Sequence, residues 1–283
     1  MEQSTSDRHA GALQRLTALI ERPEPLDVVE AGLVIASEEY PDLDIPAERL
    51  RMEALGKEAS TRIEGLSNPF ARLDALRTYL FEELGFRGND QNYYDPRNSF
   101  LNEVLHRRLG IPLSLSILYI EIARGAGLEA RGVGLPGHFV VRVDDDGRRL
   151  LVDPYHGGTV ITEEDCRELV SRATGRPGLY SPGLLDGVGP KEILGRLLRN
   201  LKRIYLAQED HRRALAVVEK LRRVFPDEAT ELRDRGFLLA HLERHGAAVA
   251  DLETYLSLHP HAPDANAVRG RVVWLRRRIT EPS

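Results

Sequence analysis

The sequence predicts an α+β module that is entered through an all-helical region and followed by an α-helical repeat array. Three observations carry that reading. Apolar residues recur at helical spacing through roughly the first 90 positions, the period changes to two between about 129 and 153, and from about 190 a helical pattern repeats every 34 residues. The division that follows is an N-terminal helical part over 10–90, a core over 91–175 and an array over 190–281.

The chain has 283 residues, long enough to bury a sizeable core. Its 42% hydrophobic and 29% charged residues are those of an ordinary globular protein, and the formal net charge of -5 offers no basic field for nucleic acid or anionic lipid. No run approaches the ~18 to 20 apolar residues of a membrane span, and the start MEQSTSDRHAGALQ lacks a signal peptide's basic and apolar parts. A cytoplasmic address without membrane contact is expected. A single cysteine, Cys166, precludes an internal disulfide and a multi-thiolate zinc site.

Residues 1 to 9 are polar and expected to be disordered, after which Leu13, Leu16, Leu19 and Ile20 mark a helix that Pro23 and Pro25 stop. Further helices are expected over 26–39, 47–64 and 69–84, separated by the turn-rich YPDLDIP and EGLSNP. A polar loop, NDQNYYDPRNS, then leads to Asn98 or Ser99 as N-cap of a helix through FLNEVLHRRL that ends at Gly110. Pro112 suits a first helical turn, and LSLSILYIEIARGA over 113–126 is apolar on nearly every face, which marks a buried central helix.

Strands are expected over 129–135, 138–144 and 148–153 in an antiparallel arrangement, the last two joined by the turn DDDG. A loop of residues 145–146 or 144–147 gives opposed positions that sum to 291, which sets His138 directly across from Asp153. At that position an imidazole and a carboxylate can hydrogen-bond.

A helix near 162–173 and the Gly/Pro-rich ATGRPGLYSPGLLDGVGP connect the core to the array. In the array Leu198 and Leu232, Tyr205 and Leu239, Ala214 and Ala248, and Pro226 and Pro260 are each 34 apart, the tetratricopeptide period. Two such repeats need a cap, for which the helix at 264–279 serves. The array is read either as structural helices or as a groove for a peptide.

The run GIPLSLSILYIEIARGAGLEARGVGLPGHFVVRV, followed by LLVDPYHGG, resembles the transglutaminase-like (papain-like) core. Within it NYYDPRNSFLNEVL, GIPLSL, PGHF and VDPYHGG resemble the bacterial Sir-B-type branch, which also carries a tetratricopeptide tail; the likeness covers roughly residues 25 to 260. The resemblance implies that a nucleophilic Cys begins the central helix and that His138 and Asp153 occupy the places of the base and its orienter. Counting back from Gly127 without a gap, the Cys place is held by Pro112, which has neither thiol nor hydroxyl. Cys suits that place because a helix N-terminus and an adjacent imidazolium lower a thiol pKa by several units, whereas a hydroxyl gains far less.

Ser114 and Ser116 are the nearby hydroxyls. They are read either as nucleophiles of a Ser-His-Asp arrangement or as groups that cap the helix start. His138 with Asp153 is read either as part of a binding cleft or as a buried pair that holds the hairpin. His156 is expected to line the same cleft rather than bind metal, because its spacing from His138 and Asp153 is neither helical nor finger-like. Tyr93, Tyr94, Asp95, Arg97, Asn98 and Asn102 form a polar segment that the resemblance sets beside the cleft. There Arg97 would hold a carboxylate and the tyrosines would stack, or the segment is an ordered loop over the central helix.

The expected function is a non-catalytic, regulatory transglutaminase-like protein that binds a protein or peptide and uses no cofactor or metal. The alternatives are a serine hydrolase or acyltransferase, and a structural scaffold.

Overall fold

The computed structural model describes residues 2–281 and divides into two compact units. One comprises 22–197 with the first turns of the N-terminal helix; the other comprises 9–21 and 198 onward. Helix α1 spans Glu2–Ile20, so residues 2–9 are helical rather than disordered; the segment has no Pro and no Gly before Gly11. Met1 lies outside the described residues.

In the first unit, α2 (Val28–Ala36), α3 (Ile45–Ile63) and α4 (Pro69–Arg77) start on Asp27, Asp44 and Asn68, each of which accepts a backbone N–H of the first turn. A π-helical segment, Thr78–Glu83, prolongs α4 and presents Phe81 to the ring of Tyr119, 6.3 Å between centroids. A short parallel pair, β1 (Arg87–Gly88) and β2 (Leu109–Gly110), frames the loop that includes Asn92 to Asn98.

Between them, α5 covers Leu101–Arg107 with Phe100 at its N-cap, and ends on Arg108 in the left-handed region, φ 61. The expected cap on Asn98 or Ser99 is therefore displaced. Asn98 closes a 3₁₀ turn, Pro96–Asn98, and its buried amide binds elsewhere. Helix α6, Pro112–Gly125, is the buried hub, with Leu113 through Ile120 all inside.

The second layer is an antiparallel sheet in the order β3 (Glu129–Leu135), β4 (His138–Asp145), β5 (Arg148–Asp153), β6 (Thr159–Ile161). Helix α6 packs on β3 and β4. Val133, Leu135, Val140 and Leu151 form a core cluster with Cys166 and Val170 of α7 (Glu163–Thr174) and with Leu185. The short β6 has no counterpart among the expected strands.

The β4–β5 turn corrects the expected register. Asp146 and Gly147 both have positive φ, 48 and 72, the requirement of a type I′ loop, so the strands pair as Val141 with Val152 and Asp145 with Arg148, a sum of 293. His138 is thus diagonal to Asp153, not opposed to it. A shift of two leaves both side chains on the same face, whereas a shift of one would have separated them.

In the second unit, the C-terminal part of α8 (Pro190–Ala207), α9 (His211–Val224), α10 (Ala229–His241), α11 (His245–Leu258) and α12 (Ala265–Thr280) stack as helical hairpins. Most residues that repeat at 34 pack inside: Ala214, Ala248 and Leu198 are fully buried and Leu232 is buried, whereas Pro260 is exposed. Lys202 reaches Glu231 at 2.6 Å, and Arg235 holds Asp251 with two bonds of 2.5 and 2.6 Å. Among the described residues no helix is long and apolar enough to cross a membrane.

Candidate functional site

The site is organised by Asp153, the last residue of β5, whose carboxylate is 2% exposed. The turn after it runs through Gly157 and Gly158, both with positive φ. Phe81 lies against Gly158, leaving no room for a side chain there. Asp153 Oδ1 accepts the backbone N–H of Tyr155 at 3.0 Å and of His156 at 3.3 Å, so the carboxylate shapes the turn that follows it. Its Oδ2 faces His138 Nε2 at 2.9 Å and His156 Nδ1 at 2.7 Å.

Burial pushes the Asp153 carboxyl up, but the hydrogen bonds and charges of His138 and His156 outweigh it and hold the group below its ordinary 3.8. With the carboxylate ionised, His138 donates from Nε2, and Nδ1 is left as the ring's basic nitrogen. The pairing is the reverse of the Ser-His-Asp triad of serine proteases, where the carboxylate meets Nδ1.

Aromatic rings wall the cluster. Tyr155 meets His138 and His156 edge-on, with centroids 6.0 and 5.2 Å away, and Tyr93 meets Tyr155 at 6.3 Å and Tyr94 at 5.4 Å. The Tyr155 hydroxyl bonds Asp90 at 2.5 Å, and burial, followed by that bond, pushes it above its ordinary range. Its ring lies against Gly88, where an added Cβ would come within 2.6 Å.

The hydroxyls expected near the histidine are committed elsewhere. Ser114 Oγ donates to Asn98 O at 2.5 Å and accepts the N–H of Ile111 at 3.1 Å; Ser116 Oγ donates to Phe139 O at 3.4 Å. Both are fully buried, and neither hydrogen-bonds His138. Pro112 is the first residue of α6, after Ile111 in extended backbone. The place where a thiolate would gain from the helix terminus thus carries no acidic proton.

The polar segment splits in two. Tyr93 and Tyr94 join the aromatic wall, Tyr94 being 59% exposed. Arg97 spends its guanidinium on Asp95, with bonds of 2.8 to 3.1 Å, so it holds an internal carboxylate rather than an external one. Asn98 donates to Asn92 O and Tyr93 O and accepts from Asn89, which fixes the loop, while Asn102 on α5 is buried with no partner for its Oδ1.

Sequence reasoning missed Tyr155, Asp90 and Arg196. Tyr155 was signalled by its place between Asp153 and His156 in DPYHGG. Arg196 donates to Leu135 O and Gly134 O at 3.0 Å and to His138 O at 3.3 Å, holding the turn that presents His138; nothing in a pattern of helical apolar residues announces it. The spacing of His138, Asp153 and His156 also gave no sign that their ligand atoms converge to within 4.8 Å of one another.

A central helix packed on an antiparallel sheet that delivers a hydrogen-bonded His and Asp defines the papain-like class of fold. A family model described as "Transglutaminase-like superfamily" matches residues 47–199, and one described as "Tetratricopeptide repeat" matches 201–272. A UPF0162 protein of Xylella fastidiosa (strain Temecula1) is 36% identical over 253 residues, covering 88% of this chain and 90% of that protein. A UPF0162 protein of Vibrio cholerae is 27% identical, covering 88% and 92%.

Human F-box only protein 21 is 33% identical over 137 residues, 46% of this chain and 21% of that protein. No solved structure matches. The chain belongs to the transglutaminase-like superfamily and, within it, to the bacterial proteins named UPF0162.

Proposed function

We propose that the chain is a non-catalytic, regulatory member of the superfamily, of its Sir-B-type branch, that binds a protein or peptide partner in the cytoplasm. In this reading 10–90 and 91–175 form the module, and 190–281 the array. The observation that supports it is the start of α6: Pro112 is its first residue, where the resemblance expects the nucleophile, and Ser114 and Ser116 have their hydrogen bonds satisfied within the fold. A base without a nucleophile has nothing to activate. What remains is a binding surface of His138, His156, Tyr93, Tyr94 and Tyr155 around Asp153, rings suited to stacking on a peptide.

The second unit adds a cavity of about 360 Å³ lined by Leu13, Glu219, Arg222, Arg223, Pro226 and Arg235. Burial and the charge of Arg235 hold the Arg222 guanidinium below its ordinary range.

Labelling with a serine-reactive fluorophosphonate tests the reading on the wild type, Ser114→Ala, Ser116→Ala and His138→Ala. No labelling in any form is expected. Labelling that is lost in one serine variant and in His138→Ala would establish a serine hydrolase and overturn the proposal.

A further inference from the structure

We infer that His138, Asp153 and His156 form a binding site for one divalent first-row transition ion of the zinc class. The three residues come from the start of β4, the end of β5 and the turn after β5, and their ligand atoms lie within 4.8 Å of one another. Two imidazoles and one carboxylate are a donor set that suits zinc, cobalt and iron(II) and is poor for magnesium or calcium, which take oxygen. Cys166 is buried in the core cluster and is not one of the three, so the site is nitrogen and oxygen only.

The two carboxylate–imidazole separations are close to what a tetrahedral ion requires, and the two ring nitrogens lie within 4.8 Å of each other. Metal–ligand bonds of about 2.0 to 2.1 Å set ligand atoms about 3.3 Å apart. Asp153 Oδ2 is 2.9 Å from His138 Nε2 and 2.7 Å from His156 Nδ1, so each gap must open by roughly half an ångström. The gap to His156 opens by movement of His156, whose side chain is 56% exposed, whereas the gap to His138 opens only by a small shift of the buried His138 or Asp153, at 8% and 2%.

The carboxylate is oriented independently of the ion, because Oδ1 is pinned by the N–H groups of Tyr155 and His156. Such outer hydrogen bonds aim a ligand and raise its affinity. His138 is steadied through its backbone, whose carbonyl accepts from Arg196.

To take the ion, His138 Nε2 and His156 Nδ1 must present lone pairs, so a proton that either nitrogen shares with Oδ2 has to leave it, for the other ring nitrogen or for solvent. Three protein donors leave at least one position for water or for a donor from a bound partner. The inference goes beyond the non-catalytic reading and does not depend on it, since an ion here needs neither a nucleophile nor a peptide.

The test uses the full chain, stripped with a chelator and titrated with Co²⁺, followed by visible absorption, and with Zn²⁺, followed by calorimetry. One ion per chain is expected, with affinity at least about tenfold weaker in His156→Ala, and weaker again in Asp153→Asn. A control, His211→Ala, alters the stacked pair His211–His241, 4.4 Å between rings, and should leave the affinity unchanged. Absence of a one-to-one site, retention of full affinity in His156→Ala, or loss of binding in His211→Ala would each overturn the inference. The fluorophosphonate result is separate, so the two readings can fail independently.

Discussion

Replacing Asp153 by Ala or by Asn separates its two jobs. The carboxylate accepts four hydrogen bonds, two from imidazoles at 2.9 and 2.7 Å and two from backbone N–H groups at 3.0 and 3.3 Å. Bonds to a charged acceptor contribute about 1.5 to 3 kcal/mol each, and water reaching the turn beside exposed His156 will re-pair part of what Ala strands. Asp153→Ala is therefore expected to cost about 3 to 5 kcal/mol. Asn retains an oxygen for the two backbone N–H groups and offers an NH₂ to one ring that changes tautomer, so its cost is about 1 to 2 kcal/mol.

Native-state amide exchange in β4 and β5 reads this locally, within the unit that holds the site. The difference of about 2 to 3 kcal/mol appears as roughly 30- to 150-fold faster exchange in Asp153→Ala than in Asp153→Asn. Equal exchange in the two variants, or a cost below about 1 kcal/mol for Ala, would refute Asp153 as the organiser of the site.

Three further outcomes follow from the same geometry. Asp153 and Asp95 both titrate below their ordinary 3.8, the first through its histidines against the effect of burial, the second through Arg97 likewise against burial. Depressed carboxylates stabilise the fold fully above the unfolded value and lose that contribution as pH falls through the folded one. Acid unfolding of the first unit should thus set in below about pH 4 and be shallower in Asp153→Asn, measured by circular dichroism. The Cys166 thiol is pushed up to about 12 by burial and then by the charges of Asp153, Asp165 and Glu163.

At pH 8 about one Cys166 in ten thousand is a thiolate, and native protein should not react with iodoacetamide until denatured. Any alkylation of native Pro112→Cys then belongs to the new thiol, and its dependence on His138 reports whether the old base still faces it. Ser114→Ala should cost about 2 to 3 kcal/mol by stranding Asn98 O and Ile111 N, whereas Ser116→Ala, with one bond of 3.4 Å, should cost under about 1; the reverse order in urea unfolding would show that Ser114 is not a cap.

What the sequence revealed depended on how local the cause was. The strands 129–135 and 148–153 and the buried helix from Pro112 appear where periodicity placed them, because alternation and an all-apolar face are properties of contiguous residues. The hairpin register was missed because DDDG offers overlapping loops, and only the backbone shows that Asp146 takes the left-handed region with Gly147. His138 and Asp153 still meet, since an even shift keeps the face. The cap on Asn98 was misassigned for a related reason: its oxygen accepts from Asn89 and its NH₂ donates to Asn92 and Tyr93, and a capping oxygen is drawn to any other donor a loop supplies.

The nonlocal contacts carry the chemistry. Tyr155 finds Asp90 across 65 positions and Arg196 finds the His138 carbonyl across 58, and no spacing rule connects such pairs. The proline at the start of α6 was nevertheless legible. Proline at the start of a helix is favourable for folding, since its fixed φ suits the first turn and its missing N–H has no intrahelical partner to lose. Pro112 therefore suits the first turn of α6, the place to which the resemblance assigns a nucleophile. The same turn engages Ser114 as a cap, so the fold gains a well-closed helix start beside the hydrogen-bonded histidine and aspartate.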